Sequence, residues 1–389
     1  MPTKKLREKV VFLSTYPPRE CGIATFTDDL ITAIDSFGKI RTGVIALNNS
    51  KKYEYGSKVI GEIEDSDVSE YVKAARDLNK SDAELVVIEH EYGIYGGDRG
   101  EYLLEFINNL ELPMVTILHT ILPEPDAKQR LIINELGKKS AKIVTMANNT
   151  KRILQRVYGV KPDKIEVIHH GVPKKQIKSR EVLKKIYGYE NKQIISTFGL
   201  IGPGKGIENG IEAMSLVIKE HPDVMYLILG ATHPALKEKG VEYRKKLEDL
   251  VENLNLKNNV IFINKFLSKG EIIEYLQLSD IYLTPYLGKD QAVSGTMAYA
   301  VGYGKAIVST PYLYAKEMLG FGRGMLTEFN NPKAMADCLI EILQNPNKQA
   351  KMEKETIRIG RTMYWDKIAQ QYIEMFIKII KANPEDGVV

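Results

Sequence analysis

The chain has 389 residues, 27% of them charged, and a formal net charge of +4. Because a single hydrophobic core rarely serves so many residues, we expect two domains. The charge balance is close to neutral for this size, and lysines are mixed with acidic residues along the chain, which argues against a nucleic-acid groove.

Short β-branched runs alternate with helix-period runs in two series. In the first series, helices are predicted near 24–36 and 126–138, and strands at KVVFLS around 10–14, 84–90, 113–119, 142–147 and 164–170. In the second, a helical stretch covers roughly 346–381, and strands are predicted at QIISTFGL, 224–230, 259–266, 280–286, 305–310 and 324–329. Buried strands alternating with helices predict parallel sheets with right-handed crossovers, hence an α/β fold with two Rossmann-like domains.

The joint between the two series lies near GVPKKQIKS, where Gly171, Pro173 and a run of lysines interrupt the pattern. In open α/β sheets the ligand lies beyond the carboxyl ends of the strands. We therefore expect the loops that follow each strand to carry the site, and the carboxyl edges of two facing domains to line one cleft.

The loop in FGLIGPGKGIENGIEAM, residues 198–214, is the best local signal. Several glycines let backbone amides approach an anion, and Lys205 adds a full positive charge at the start of a predicted helix. A tight turn with a solvated lysine explains the same residues without a ligand. The P-loop pattern GxxxxGK[ST] is absent from the chain.

A second candidate cradle lies in DQAVSGTMAYAVGYGKAIVST, residues 290–310. Ser294, Gly295 and Thr296 could begin a helix with free amides and hydroxyls. The small residues that follow fit close packing on a sheet, which is the purely structural reading. As a binding site, this segment would form a second anion cradle.

The first domain offers fewer signals. Gly22 precedes a helix beside Arg19, and it is either a plain turn glycine or the place where the backbone touches a phosphate. His119 closes the predicted strand PMVTILH, so its side chain is expected at the ligand edge. A lone histidine there is either structural or catalytic.

Seven segments occur in the order seen in family-4, group 1 glycosyltransferases, and the resemblance covers essentially the whole chain. They are STYPPRECGIATFT, EHEYGIYGG, TILHTILPEPD, VIHHGVP, STFGLIGPGKGIENGIEAM, SDIYLTPY and SGTMAYAVGYGKAIVSTPY. The resemblance implies the GT-B fold, with an acceptor-binding domain at 1–172, a donor-binding domain at 173–363, and a C-terminal helix within 364–389 that packs back on the first domain. It also implies metal-independent sugar transfer with retention of the anomeric configuration.

Carried over residue by residue, Lys205 matches the lysine of the family that contacts phosphate, and His119 matches the histidine near the donor sugar. With Arg19, these are the predicted catalytic residues. The predicted donor-binding residues are Gly22, Gly204, Lys265, Phe266, Gln291, Ser294, Gly295, Thr296 and Tyr299. The predicted acceptor-binding residues are His90, Glu91 and Tyr92. No metal site and no cofactor are expected.

Three positions depart from the family pattern. Leu200 replaces an arginine beside the lysine, and Gln291 and Tyr299 replace two glutamates eight positions apart. Tyr299 cannot reproduce a bidentate carboxylate on a ribose. The missing arginine leaves a charge deficit at the phosphate, for which Arg19 is the first candidate and Lys265 the second.

The sequence thus predicts a hexosyltransferase that uses a nucleotide-sugar donor. GDP-mannose is the leading donor because the chain resembles mannosyltransferases of the family, and UDP-glucose is the alternative. A glycoside phosphorylase of the same fold and a non-catalytic sugar- or nucleotide-binding protein stay open. The expected acceptor is a carbohydrate or a glycolipid, and a homodimer is an option.

The expected location is cytoplasmic. Cys21 and Cys338 form no CxxC pair, which fits a reduced compartment. No apolar run reaches the about 18 residues that a membrane span needs. Peripheral contact with the inner face of a membrane remains compatible with the mildly basic surface.

Overall fold

The computed structural model describes residues 8–232 and 237–382, which form two compact units. One unit runs through Pro173 and takes up the chain again from Tyr364, whereas the other spans Lys174–Met363. The two junctions therefore lie between residues 173 and 174 and between residues 363 and 364.

The first unit is built on a seven-stranded parallel sheet with the order β3-β2-β1-β4-β5-β6-β7. Its strands are β1 (Glu8–Ser14), β2 (Ile40–Asn48), β3 (Val59–Glu64), β4 (Leu85–His90), β5 (Met114–Leu118), β6 (Lys142–Thr145) and β7 (Ile165–Val167). Its helices are α1 (Gly22–Ser36), α2 (Val68–Asn79), α3 (Leu103–Asn109), α4 (Ala127–Lys139), α5 (Asn148–Tyr158) and α14 (Trp365–Ala382).

The second unit is built on a six-stranded parallel sheet with the order β10-β9-β8-β11-β12-β13. Its strands are β8 (Gln193–Phe198), β9 (Val224–Leu229), β10 (Val260–Ile263), β11 (Ile281–Thr284), β12 (Ala306–Ser309) and β13 (Met325–Leu326). Its helices are α6 (Arg180–Ile186), α7 (Ile207–Val217), α8 (Lys237–Asn253), α9 (Lys269–Leu278), α10 (Gly295–Gly302), α11 (Leu313–Met318), α12 (Pro332–Gln344) and α13 (Pro346–Gly360).

The predicted α/β class with parallel sheets is confirmed, but the sequence prediction missed β2 and β3. β3 is the edge strand of its sheet, and its residues alternate between exposed and covered positions with a glycine inside. β2 begins with buried Ile40, but the partly exposed Arg41 and Thr42 and then Gly43 precede its apolar run. Neither strand reads as a continuous β-branched stretch, which is the pattern that marks strands buried on both faces.

The expected helical stretch 346–381 is divided into α13 and α14, which belong to different units. α13 ends at Gly360, where a Cβ atom would lie 2.4 Å from the carbonyl oxygen of Val301. α14 begins at Trp365, whose backbone N–H donates to the carbonyl of Val172 over 3.0 Å. Close packing at one end and a backbone bridge at the other separate the two helices, and helix periodicity alone does not reveal either contact.

In each sheet the strand order reverses between two neighbours. In the first unit this happens at β1 and β4, and in the second at β8 and β11. Ligands of doubly wound folds bind at such a switch point, beyond the carboxyl ends of the strands. A ligand of either unit is therefore expected at the loops that follow these four strands.

α14 packs on the first unit alongside α1, with the ring of Phe376 edge-on to Phe12 of β1 at 6.3 Å. Phe12, Phe376, Ile368 and Tyr372 are all essentially buried, so the returning helix is part of the hydrophobic core of this unit. Among the described residues, no helix is both long and apolar enough to cross a membrane.

Candidate functional site

In the second unit, the loop after β8 is folded against the loop after β11. Gly206 has a φ of +59°, and a Cβ atom there would lie 2.2 Å from the carbonyl oxygen of Pro285. The backbone N–H of Leu287 also donates to the carbonyl of Gly204 over 3.1 Å. A residue with a side chain at 206 would be strained and would push the loops apart. This glycine therefore brings Lys205 against the segment that follows β11.

Lys205 lies over the ring of Tyr286, with its ammonium nitrogen 3.9 Å from the ring centroid. Such a cation–π contact places the charge without neutralising it. In the part of the chain that the structure describes, no carboxylate lies within ion-pair distance of Lys205, and the side chain is only half-buried. Its positive charge is therefore available to an anionic ligand.

Tyr286 also connects this lysine to the start of α10. Its hydroxyl is 2.9 Å from Oγ1 of Thr296, which is 3.1 Å from Oγ of Ser294. Ser294 is the N-cap of α10, and its Oγ accepts a hydrogen bond from the backbone N–H of Met297 over 3.2 Å. The first amides of a helix have no acceptor within the helix, and they carry its positive dipole end.

The two predicted cradles are thus parts of one site, because Lys205 and the start of α10 meet at Tyr286. A lysine, a pair of hydroxyls and free helix amides together suit a phosphate group. The sequence prediction missed Tyr286, although its segment SDIYLTPY was part of the family resemblance. A tyrosine directly after a buried strand resembles a core residue, and its ring is indeed fully buried.

The three positions that depart from the family pattern offer no charge here. Leu200 is half-buried, Gln291 donates its side-chain N–H to the carbonyl of Val293 over 3.0 Å, and Tyr299 is 8% exposed. The ring of Tyr299 lies 6.3 Å from that of Phe198 at the end of β8. Tyr299 is therefore packed as an aromatic core residue where the family places a carboxylate.

Three other predicted donor residues lie in loops near the carboxyl edge of this sheet. Lys265 forms an ion pair with Glu271, with 2.5 Å between Nζ and Oε1, and this contact lowers the pKa of Glu271 to about 2. Phe266 is 54% exposed. A Cβ atom at Gly204 would have no neighbour within 4 Å, so that loop leaves open space beside Lys205.

In the first unit, His119 directly follows β5 and contacts a buried acid on the neighbouring strand. Its Nε2 lies 2.7 Å from Oε2 of Glu89, and its ring is edge-on to Phe26 of α1 at 4.9 Å. Glu89 is fully buried, and this burial raises the pKa of its carboxyl group against the opposing effect of His119. The sequence prediction missed Glu89, although an acid inside the buried strand LVVIEH is a visible anomaly.

The β1–α1 loop places Gly22 and Arg19 at the same edge of the first sheet. α1 begins at Gly22, its N-cap Cys21 makes no side-chain cap, and a Cβ atom at Gly22 would have no neighbour within 4 Å. The Arg19 guanidinium donates from Nη1 to the carbonyl of Leu47 over 2.9 Å. Among the described residues, no carboxylate forms an ion pair with Arg19.

The predicted acceptor residues differ in what they can offer. His90 is 1% exposed, and burial lowers its pKa to about 3, so it is neutral at physiological pH. Glu91 accepts a hydrogen bond from the backbone N–H of Tyr92 over 3.0 Å, and both residues are partly exposed. Within this unit, Glu91 can meet a ligand directly, whereas the hydroxyl of Tyr92 is buried and His90 can act only through its neighbours.

Two family models match the chain. The model described as "Glycosyltransferase Family 4" matches residues 68–176, and the model described as "Glycosyl transferases group 1" matches residues 179–358.

No group of three or more His, Cys, Asp or Glu residues that could hold a metal ion occurs in the described ranges.

Curated relatives and solved structures agree with these models. An uncharacterized glycosyltransferase of Methanocaldococcus jannaschii is 27% identical over 62% of this chain and 60% of its own length. A D-inositol 3-phosphate glycosyltransferase of Corynebacterium urealyticum is 24% identical over 50% of this chain and 45% of its own length. The chain thus spans less than two thirds of these relatives.

Solved structures resemble the chain over nearly its whole length. HepE of Anabaena, in complex with UDP and glucose, has a TM-score of 0.75 at 17% identity, with 96% of this chain and 100% of that chain covered. Sucrose-phosphate synthase of Thermosynechococcus elongatus has a TM-score of 0.80 at 14% identity, with 97% and 100% covered. At these identities the likeness shows the fold.

Two doubly wound α/β units of this kind match the GT-B class of glycosyltransferases. With the two family models, this assigns the chain as a glycosyltransferase, and the models support group 1 of that class.

Proposed function

We propose that this glycosyltransferase moves a hexosyl group from a nucleotide-sugar donor to a hydroxyl group of a carbohydrate or lipid-linked acceptor, without a metal ion and with retention of configuration. The bond from the anomeric carbon to the donor phosphate breaks, and a bond to the acceptor oxygen forms. The proton of the acceptor hydroxyl passes to the leaving diphosphate.

The observation that carries this proposal is the phosphate cradle of the second unit. Lys205 stands over Tyr286 without an acidic partner among the described residues, and Tyr286 links it to the first turn of α10. A diphosphate gains negative charge as it leaves, and a fixed cation with aligned amides stabilises that charge more in the transition state than in the ground state. This arrangement supports charge stabilisation by the protein itself.

Retention is proposed from the family resemblance, and two residues of the second unit bear on which retaining route is used. Two positions where related enzymes carry glutamates hold Gln291 and Tyr299, and the amide of Gln291 is engaged within its own loop. A covalent sugar–enzyme intermediate needs such a nucleophile. Attack from the same face, with the leaving phosphate as base, requires none.

For the donor, GDP-mannose stays the leading prediction from the sequence, with UDP-glucose as the direct competitor. The printed descriptions of the HepE structures name UDP, glucose and UDP-glucose. These proteins are 17% identical to the chain, so they support a nucleotide-sugar donor in general more than a particular base or sugar.

The test is turnover of purified protein with GDP-mannose and UDP-glucose, followed by nucleotide release and product detection in the presence of EDTA. Lys205→Ala is the informative variant, and Lys219→Ala, an exposed lysine just after α7, is its matched control. We expect turnover by the wild type and by the control, and strongly reduced turnover by Lys205→Ala. Sugar 1-phosphate formed from an oligosaccharide and inorganic phosphate would instead identify a phosphorylase.

A second candidate is a non-catalytic nucleotide- or sugar-binding protein. Tyr299 favours it, because its ring is packed in the core at a position where a carboxylate would hold the ribose. Calorimetric binding of a nucleotide sugar, with no turnover by any acceptor tried, would select this candidate.

A further inference from the structure

The contact between Glu89 and His119 in the first unit is not explained by phosphate binding. Glu89 is fully buried, and among the described residues His119 is the only group that pairs with its carboxylate. The second oxygen, Oε1, is buried and has no hydrogen-bond partner in the described structure. An acid in this position is unusual, since buried carboxylates are normally paired on both oxygens.

Aromatic rings and two further histidines surround this pair. Phe26 of α1 packs edge-on to the rings of His119 and His170. Burial lowers the pKa of both His90 and His170, so neither adds a positive charge beside Glu89 at neutral pH.

On α14, the hydroxyl of Tyr372 is buried and has no hydrogen-bond partner in the described residues. Burial raises the pKa of Tyr372 well above its ordinary value, and the charge of Glu89 adds to this rise. Among the described residues, Tyr372 therefore gives the carboxylate of Glu89 neither a hydrogen bond nor a positive charge.

The two ring nitrogens of His119 face different environments. Nε2 contacts Oε2 of Glu89 at 2.7 Å. Nδ1 forms no hydrogen bond among the described residues, and the His119 side chain is 9% exposed. Because Nε2 is engaged by Glu89, Nδ1 is the ring nitrogen left for a ligand.

Four proton arrangements satisfy the short contact. An ionised Glu89 beside a neutral ring protonated on Nε2 leaves a net negative charge in the core. An ionised Glu89 beside a doubly protonated ring is neutral overall. A protonated Glu89 that donates to Nε2 of a ring protonated on Nδ1 is also neutral. A protonated Glu89 with its proton on Oε1, accepting from Nε2 through Oε2, is neutral too, but it buries a hydroxyl donor without an acceptor, because Oε1 has no partner in the described structure.

Burial selects between these arrangements. A buried charge without compensation costs several kcal/mol, so the net negative arrangement is disfavoured. The same desolvation raises the pKa of Glu89. The two neutral arrangements that leave no hydroxyl donor unsatisfied both carry a proton on Nδ1 of His119. The outward atom of the ring is a hydrogen-bond donor in either of them.

We infer that Glu89 is a positioning residue that keeps a proton on Nδ1 of His119, so that His119 offers a hydrogen-bond donor to an oxygen of a sugar ligand at the carboxyl edge of the first sheet. This inference rests on the proposed function for the identity of the ligand. It excludes His119 as the base that deprotonates the acceptor, because the nitrogen it presents has no free lone pair.

The proton position is measured directly in the unliganded protein. Histidine is labelled with ¹⁵N, and long-range ¹H–¹⁵N spectra at neutral pH report the protonation of each ring nitrogen. The chain has 6 histidines, and the signal that disappears in His119→Ala assigns His119. We expect Nδ1 to be protonated, and a proton on Nε2 alone would overturn the inference.

Glu89→Leu removes the carboxylate that contacts His119 and places an apolar side chain of similar size in the strand. We expect the fixed proton on Nδ1 to be lost in this variant, with kcat reduced by about 10- to 100-fold and KM changed little, as for other groups that orient a functional histidine. Glu84→Leu, just before the opposite end of β4, is the matched control and should keep the wild-type spectrum and rate. An unchanged His119 spectrum in Glu89→Leu would contradict the inference.

A double-mutant cycle separates positioning from general stability. Because Glu89 acts through His119, Glu89→Leu should change kcat less than twofold in a His119→Ala background. An equal loss in both backgrounds would show a purely structural role. The spectra need no turnover, so a failure of the proposed function leaves the proton position testable.

Discussion

The strongest prediction concerns Lys205, whose ammonium is held over Tyr286 and has no acidic partner among the described residues. Lys205→Ala removes one positive charge from the cradle and leaves the fold unchanged, because the side chain is half-buried and makes no hydrogen bond in the described structure that the fold requires. The loss should therefore fall on the reaction.

The magnitude follows from the geometry. A unit charge about 4 Å from a phosphate oxygen is worth about 4 kcal/mol at an effective dielectric constant of about 20. Partial exposure of Lys205 to water reduces this to roughly 2–3 kcal/mol. Since about 1.4 kcal/mol corresponds to a factor of ten, kcat/KM should fall on the order of 10²-fold.

The ring beneath the lysine gives a graded check. Tyr286→Phe keeps the aromatic face and should stay within about threefold of the wild type. Tyr286→Leu removes a cation–π contact worth about 0.5–1 kcal/mol, and it should lower kcat/KM roughly two- to fivefold. Initial rates of nucleotide release give these values, and melting temperatures control for folding. A rate of Lys205→Ala within threefold of the wild type would refute the electrostatic reasoning.

Further predictions concern Arg19, Gly206 and His90. Arg19→Ala should lower kcat on the order of tenfold with less effect on donor affinity by calorimetry; a loss confined to affinity would rule out a catalytic role of Arg19. Gly206→Ala should lower the melting temperature, because a Cβ atom would meet the Pro285 carbonyl at 2.2 Å and φ is +59°; an unchanged melting temperature would contradict this. Burial lowers the pKa of His90 to about 3, so as the pH falls below about 6.5 the unfolded chain takes up a proton that the folded chain does not. His90 should therefore remove about 2 kcal/mol from the free energy of unfolding by pH 5, and this should be regained on raising the pH. His90→Phe should reduce the difference in unfolding free energy between pH 7 and pH 5, measured by urea unfolding, and an unchanged difference would disprove the assignment.

The sequence predicts those parts of the fold whose patterns are local. β8 and β11 are buried on both faces and read as continuous apolar runs, so their positions and the ligand loops after them follow directly. Ser294 reads as a helix cap for the same reason, since capping depends on residues close in sequence. β3 is at a sheet edge and half-exposed, so its pattern is too weak to mark a strand.

Other features depend on neighbours far apart in the chain. Tyr286 contacts Lys205, which lies 81 residues earlier in the sequence, only because Gly206 folds the loop of Lys205 against it. Glu89 meets His119 across neighbouring strands. Spacing within a single sequence does not encode such contacts. The sequence therefore pointed to Lys205 and the start of α10 as candidates, but not to Tyr286 and Glu89.

Transfer of a sugar from a nucleotide donor with the anomeric configuration kept can be followed at the anomeric carbon itself. The purified chain is incubated with a donor carrying ¹³C at the anomeric carbon and with an acceptor, in EDTA, and NMR follows the one-bond carbon–hydrogen coupling at that carbon. We predict a new glycosidic signal with the coupling of the donor's anomeric configuration, absent with Lys205→Ala. A product of the opposite configuration, or bound nucleotide with no transfer, would contradict the account.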